Sequence, residues 1–145
     1  MLSLIMIRYT LCKQERLSSL KGIEKLFKEG RSVAKFPIRL VWLDNSGPEA
    51  QSFPVQVMFS VSKKKFPRAV DRNRIKRLMR EGYRLSKPWL YSTLPSGQGF
   101  HLSLIYSGTE ISDHAVIQKS IIAALERWLK ELQKDQPITE TGSNP

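Results

Sequence analysis

Lys63, Lys64, Lys65, Arg68, Arg72, Arg74, Lys76, Arg77, Arg80, Arg84 and Lys87 crowd one stretch of the chain, opposed there only by Asp71 and Glu81. The chemistry open to such a set is recognition of a polyanion. Each Arg offers a flat fork that pairs two phosphate oxygens and stacks on bases, while the Lys run supplies point charges. Arg72, Lys76, Arg80 and Arg84 recur every four residues, so on a helix they form one stripe with Asn73 and Arg77 beside it. Ile75, Leu78, Met79 and Gly82 then fall on the opposite, core-facing side. Like charges at this spacing each cost a helix a few tenths of a kcal/mol, a cost that a polyanion partner reverses. A solvated face normally mixes signs, and this one does not. Asn73 both donates and accepts, which suits a ribose hydroxyl or a base edge.

No other group of residues points to catalysis. Cys12 is the one cysteine and has no base in its vicinity; it cannot form an intrachain disulfide, which fits a reducing cytoplasm. His101 and His114 lie apart, without a cysteine or carboxylate cluster, so no zinc site is expected. Asp71 and Glu81 sit ten residues apart on a cationic helix, where charge balancing explains them better than acid–base work. There is no phosphate-cradling glycine loop and no Ser–His–Asp pattern.

The elements that must position the cations follow from periodicity. Leu17, Leu20, Ile23 and Phe27 predict an apolar helix face over residues 16–29, closed by Gly30. Residues 38–43 and 55–62 predict strands. In the second, Val55, Val57, Phe59 and Val61 face a core, and Gln56, Met58, Ser60 and Ser62 face a half-polar surface. Asn45-Ser46-Gly47-Pro48 predicts the turn between them. The basic helix is read over 72–85 and is followed by a loop through Pro88, Trp89 and Pro95–Gly99. Residues 100–106 predict a strand. Asp113 caps a last helix to about 134, with Ile117, Ile121, Ala124, Leu125, Trp128 and Leu132 on its core side. Trp42 and Trp128 read as core, and Trp89, in its loop, as able to pack on RNA. This order implies an α+β or α/β sandwich, with helices on a small sheet.

The chain has 145 residues, 41% hydrophobic and 26% charged, which suits one domain with a single core. Lys and Arg total 24 against 13 acids, a net charge of +11 that a nucleic acid or an anionic surface must compensate. A membrane partner is not expected. No stretch nears the roughly 18 apolar residues of a span, and the basic helix carries no Trp or Phe opposite its cations. Residues 1–8 read as an N-terminal extension, with Met6 an equally good start. Residues 9–134 read as one RNA-binding domain and 135–145 as a disordered polar tail.

Phe59-Ser60-Val61-Ser62-Lys63-Lys64, followed by Ala69-Val70-Asp71-Arg72-Asn73-Arg74-Ile75-Lys76-Arg77-Leu78-Met79-Arg80-Glu81, resembles the signature of the bacterial ribonuclease P protein family. Glu15-Arg16-Leu17, Phe27, Gly30 and Ser32 extend the resemblance upstream, so that it spans about residues 9–132. A short basic motif alone would be weak; a strand ending in Ser-Lys-Lys that feeds an Arg-Asn-Arg helix is specific. The resemblance implies a small two-layer α/β sandwich of the ribosomal protein S5 domain 2-like class, with about four strands, three helices and a left-handed crossover.

It also implies function. The chain would be the non-catalytic subunit of an endoribonuclease that removes the 5′ leader of precursor tRNA, with ribonuclease P RNA doing the hydrolysis with Mg2+. Lys63, Lys64, Lys65, Arg68, Arg72, Asn73, Arg74, Lys76, Arg77, Arg80 and Arg84 would touch the RNA subunit. Phe27, Arg39, Val41, Ser60 and Ser62 would line a leader cleft, Phe27 by stacking. The chain departs from the family pattern at Ile23 and Val41, where aromatics are usual, at Ile105-Tyr106-Ser107, which lacks a usual Arg, and at Phe66-Pro67-Arg68, which replaces a Gly-containing link. The competing readings are a ribosomal-type or other basic nucleic-acid-binding protein, and a stand-alone protein nuclease. A helix-turn-helix reader would need a second short helix beside the basic one.

Overall fold

The structure, a computed structural model, describes residues 15–45, 54–94 and 98–135. The extension at 1–8, Cys12, most of the turn at 45–48, Pro95–Gly97 and the tail beyond 135 lie outside the described residues. The elements run α1 (Leu20–Glu29), β1 (Arg31–Lys35), β2 (Ile38–Asp44), β3 (Val55–Val61), α2 (Ala69–Thr93), β4 (Phe100–Tyr106) and α3 (His114–Asp135).

The four strands make one mixed sheet in the order β1-β2-β4-β3. β1 and β2 form an antiparallel hairpin, β2 pairs antiparallel with β4, and β3 pairs parallel with β4. A parallel neighbour requires a crossover, and α2 supplies it. β4, at the centre, is buried along nearly its whole length. Phe100, Leu102, Leu104 and Tyr106 face α2 and α3, while Ile105 packs on the cluster beneath α1.

The sheet and the α2–α3 pair form the main two layers. Trp128 of α3 meets Phe100 edge-on at 5.3 Å and Trp42 at 6.1 Å. Ile75, Met79 and Tyr83 of α2 are fully buried, and Tyr83 meets Phe59 at 6.0 Å. Each such side chain contributes about 1.5–3 kcal/mol, which outweighs the few tenths lost per cation pair on the outer side of α2. Gly82 lets the two helices approach, since a Cβ there would lie 3.0 Å from Ile121 and 3.3 Å from the Gln118 backbone. On the second face, α1 covers part of the sheet through Leu17, Leu26 and Val41.

Several boundaries differ from expectation. α1 starts at Leu20 rather than 16, because the Ser19 hydroxyl accepts the Gly22 N–H at 3.2 Å and caps it. Residues 16 and 17 instead join the sheet edge: Arg16 bridges Val57, and the Leu17 N–H donates to the Val57 carbonyl at 2.9 Å. Gly30 does close α1, but at φ −73°. Glycine is needed there for close approach, since a Cβ would fall 2.3 Å from the Leu26 carbonyl. β1 had no signal, since its burial alternates around the single inward Val33. α2 runs through Pro88 to Thr93 instead of ending at 85, so Trp89 is helical rather than in a loop. Proline removes one helix hydrogen bond. Buried Lys87 and Leu90 on either side, and Leu94 just past the helix end, keep the chain in register against the core.

Candidate nucleic-acid interface

β3 delivers the chain into a tight turn at Lys63–Lys65. The Ser62 hydroxyl accepts the N–H groups of Lys64 and Lys65 at 3.1 and 3.4 Å, so Ser62 shapes the turn. Lys65 donates its ammonium to the Ser107 carbonyl at 2.9 Å, which ties the turn to the end of β4, while Lys63 and Lys64 remain exposed.

The cations of α2 divide into three kinds. Arg68 and Arg84 are matched with Asp71 at 3.0 Å and Glu81 at 2.7 Å. Those hydrogen bonds hold both carboxyls below their usual range, so the two acids stay ionised and are engaged locally. Arg72 is half-buried and turns back to donate to the carbonyls of Phe66 and Pro67 at 2.9 and 2.8 Å. It braces the entry to the helix. Asn73, Arg74, Arg77 and Arg80 are exposed and Lys76 half-buried, and these cations have no ion pair among the described residues. Arg80 lies 5.9 Å over the Phe59 ring, at the β3 edge.

The stripe of four therefore does not form one even face. Each four-residue step advances 40° around an α-helix. Along the series Arg72 and Lys76 are half-buried, Arg80 is exposed, and Arg84 is again half-buried and engaged with Glu81. The outward set is Asn73, Arg74, Arg77 and Arg80. Lys87, the last member of the basic run, lies inside the protein: its ammonium meets Glu15 at 2.9 Å, with side-chain exposures of 0% and 1%. Tyr91 donates to the other Glu15 oxygen at 2.6 Å, and burial holds its phenol well above its ordinary value, so it stays protonated.

On the second face of the sheet, registry aligns Ala34, Arg39, Ile105 and Ser60 in one row across all four strands. Ala34 and Arg39 are exposed, and Ile105 and Ser60 half-buried. The parallel row of Ser32, Val41, Ser103 and Met58 lies nearer α1. Gly22 of α1 abuts the next row at His101, where a Cβ would lie 3.1 Å from the imidazole. Burial and Lys25 depress the His101 pKa, which places Lys25 on that flank too. The opposite flank of α1, with Leu20, Ile23 and Phe27, therefore overlooks the open row of Arg39, Ile105 and Ser60. Leu20 is 71% exposed and Phe27 48%.

A trough results, with an apolar helix flank as one wall and the open row as its floor. Arg39 is oriented by the Ser32 hydroxyl at 3.5 Å. Of the residues expected to line it, Arg39 and Ser60 share the open row through Ile105, and Phe27 is exposed on α1. Val41 lies beneath α1 with 8% exposure, and Ser62 belongs to the turn. Leu20 was expected on the buried side of its helix; the Ser19 cap places it in the exposed first turn. Among the described residues no three His, Cys, Asp or Glu side chains gather to hold a metal ion.

The ribonuclease P family model matches residues 11–131. The chain is 34% identical over 120 residues to the ribonuclease P protein component of Porphyromonas gingivalis, covering 82% of this chain and 86% of that one. The chain belongs to the ribonuclease P protein family. Its counterpart in Chlorobaculum tepidum is 38% identical over 118 residues, 77% of this chain and 71% of that protein. The Staphylococcus aureus ribonuclease P protein superposes with a TM-score of 0.62 at 25% identity, over 77% of this chain and 93% of that one. The Thermotoga maritima ribonuclease P protein shares the fold with a TM-score of 0.61 at 24% identity, over 78% and 96%. The chain is thus a subunit of a tRNA-processing endoribonuclease, as the Ser-Lys-Lys and Arg-Asn-Arg motif implied.

Proposed function

We propose that this ribonuclease P protein grips its two RNA partners on two adjoining surfaces. The outward set of α2, Asn73, Arg74, Arg77 and Arg80, joined by the half-buried Lys76 and by Lys63 and Lys64 of the turn, binds ribonuclease P RNA. The trough between α1 and the open sheet row holds the single-stranded 5′ leader of precursor tRNA. Phe27 offers a stacking face, Arg39 a guanidinium for phosphate or base, and Ser60 a hydroxyl. Mg2+ serves the phosphodiester hydrolysis within the RNA-containing holoenzyme. The work of the protein is cytoplasmic and consists of binding and orientation: it neutralises phosphates and fixes the leader relative to the RNA subunit. None of the described helices is long and apolar enough to cross a membrane.

The observation that carries this reading is where the two surfaces meet. β3 ends at Val61, one residue beyond the open row, and the Lys63–Lys65 turn then leads into α2 at Ala69. One RNA path can then run from trough to helix without leaving a cationic surface. The test is reconstitution with a bacterial ribonuclease P RNA and a precursor tRNA at low Mg2+, following leader release. Cleavage that requires both components supports the reading. Tight, salt-sensitive RNA binding without stimulation would leave only a general RNA-binding role.

A further inference from the structure

Phe36 is the most exposed large hydrophobic residue among those described, at 75%, and it stands at the tip of the β1–β2 hairpin. Isolated apolar residues on a surface usually need no explanation. Three features set this one apart. The first is rigidity. The Ser120 hydroxyl donates to the Phe36 carbonyl at 3.1 Å, and Ser107 donates to the Pro37 carbonyl through its N–H at 2.7 Å and its hydroxyl at 3.1 Å. The tip is held from α3 on one side and from the end of β4 on the other, so the ring is displayed by a fixed backbone.

The second is place. Ala34 and Arg39 are cross-strand partners in the open row, and Phe36 follows Ala34 by two residues. Phe27 overlooks the same row from α1. Phe36 thus stands at the hairpin end of the row that holds Arg39, the cross-strand partner of Ala34. The third is charge. Lys35 and Arg39 are exposed beside the ring, and Ser107, which holds the tip, also accepts the Lys65 ammonium. An exposed aromatic framed by cations, with no acid in the hairpin between Arg31 and Leu43, is chemistry for a base on a phosphate chain rather than for a peptide or a lipid.

We infer that Phe36 is a second stacking platform, which takes a nucleobase of the precursor leader after it has passed Phe27 and Arg39. The site is sequence-tolerant, because every base has a π face. It acts only on leaders long enough to reach the hairpin tip. This inference rests on the assignment of the trough to the leader.

The experiment uses reconstituted holoenzyme and measures affinity for mature tRNA and for precursors whose leaders lengthen one nucleotide at a time. Phe36→Ala changes a mostly exposed side chain, so the fold is retained. It is expected to match wild type on mature tRNA and short leaders. Beyond a threshold length it should bind at least about fivefold more weakly, the equivalent of one stack at about 1 kcal/mol. Phe36→Trp should restore the affinity. Wild-type behaviour of Phe36→Ala at every length overturns the inference, as does an equal loss on mature tRNA, which would place the ring against the tRNA body. Phe27→Ala, measured in parallel, separates the two levels. If it weakens leader binding while Phe36→Ala is silent, only the tip assignment fails. If both are silent, the trough assignment fails with it.

Discussion

The basic face of α2 is carried by one continuous helix whose inner side is fully packed. The trough is assembled from α1 and all four strands, with residues 15–17 fixing where α1 lies. On the helix, each cation has its position from local geometry alone, and its neighbours matter only through charge. In the trough, Phe27, Arg39 and Ser60 lie far apart in sequence and meet only if the sheet register and the seat of α1 are both correct. Point charges on a rigid rod suit phosphates, for which distance is enough. A stacking site needs placement as well. The trough should therefore be sensitive to changes far from RNA, and the helix face to little beyond its own exposed residues.

The largest expected effect tests that contrast through a residue that never meets solvent. Lys87→Ala removes the cation that meets the buried Glu15 carboxylate and should cost about 3–5 kcal/mol in a denaturant titration. Replacing both Glu15 and Lys87 by Met should cost much less, because the desolvation of both ions is removed together. If the single variant melts like wild type, the pair is not what seats residues 15–17 against α2.

Phe27→Ala comes next. It should weaken the leader-dependent part of precursor binding by about 1–3 kcal/mol while leaving affinity for the RNA subunit unchanged. A loss shared equally by mature tRNA would remove Phe27 from the leader path and leave α1 a purely structural helix.

These two residues also mark what could be read from the sequence. The strand at Phe59 and the helix up to Glu81 were legible because their signals are local, alternation in β3 and cations on a helix, although that helix starts at Ala69 rather than 72. Phe27 was singled out through the resemblance, and the structure leaves its ring exposed on α1. Lys87 was misplaced because its partner lies 72 positions away, and charge in a basic run looks alike whether buried or exposed. The end of α2 was misjudged because Pro88 is a strong local stop that tertiary packing overrode. Val41 was placed in the cleft by the resemblance, but α1 covers it, and no pattern within β2 reports what lies above a strand.

On the helix face, Arg72 and Arg77 look equivalent in sequence and differ in structure. Arg77→Ala should lower the salt dependence of RNA-subunit binding by about 0.7–0.9 in log–log slope, the loss of one phosphate contact. Arg72→Ala should act mainly on stability, by about 1–3 kcal/mol, since its guanidinium serves the Phe66 and Pro67 carbonyls. Equal slope changes in both variants would show that Arg72 swings outward when RNA arrives, and the division of the cations would then have to be redrawn.

The smallest effect concerns the underside of α1. Burial first, and then Lys25, lower the His101 pKa from the ordinary 6.5, so the folded protein favours the neutral imidazole. In the window between the depressed folded value and 6.5, the unfolded chain binds more protons than the folded one, and stability must rise with pH there. The contribution of His101 is thus present in full above the ordinary value and is lost as the pH falls below it. His101→Gln should flatten this part of the acid limb in melts taken from pH 7.5 down to 5.5. Because His101 touches Gly22, the same acidification should weaken the leader-dependent share of affinity in the wild type and spare the share carried by α2. An acid dependence that fell on both shares alike would indicate that α1 and α2 respond as one body, and that the trough has no independent give.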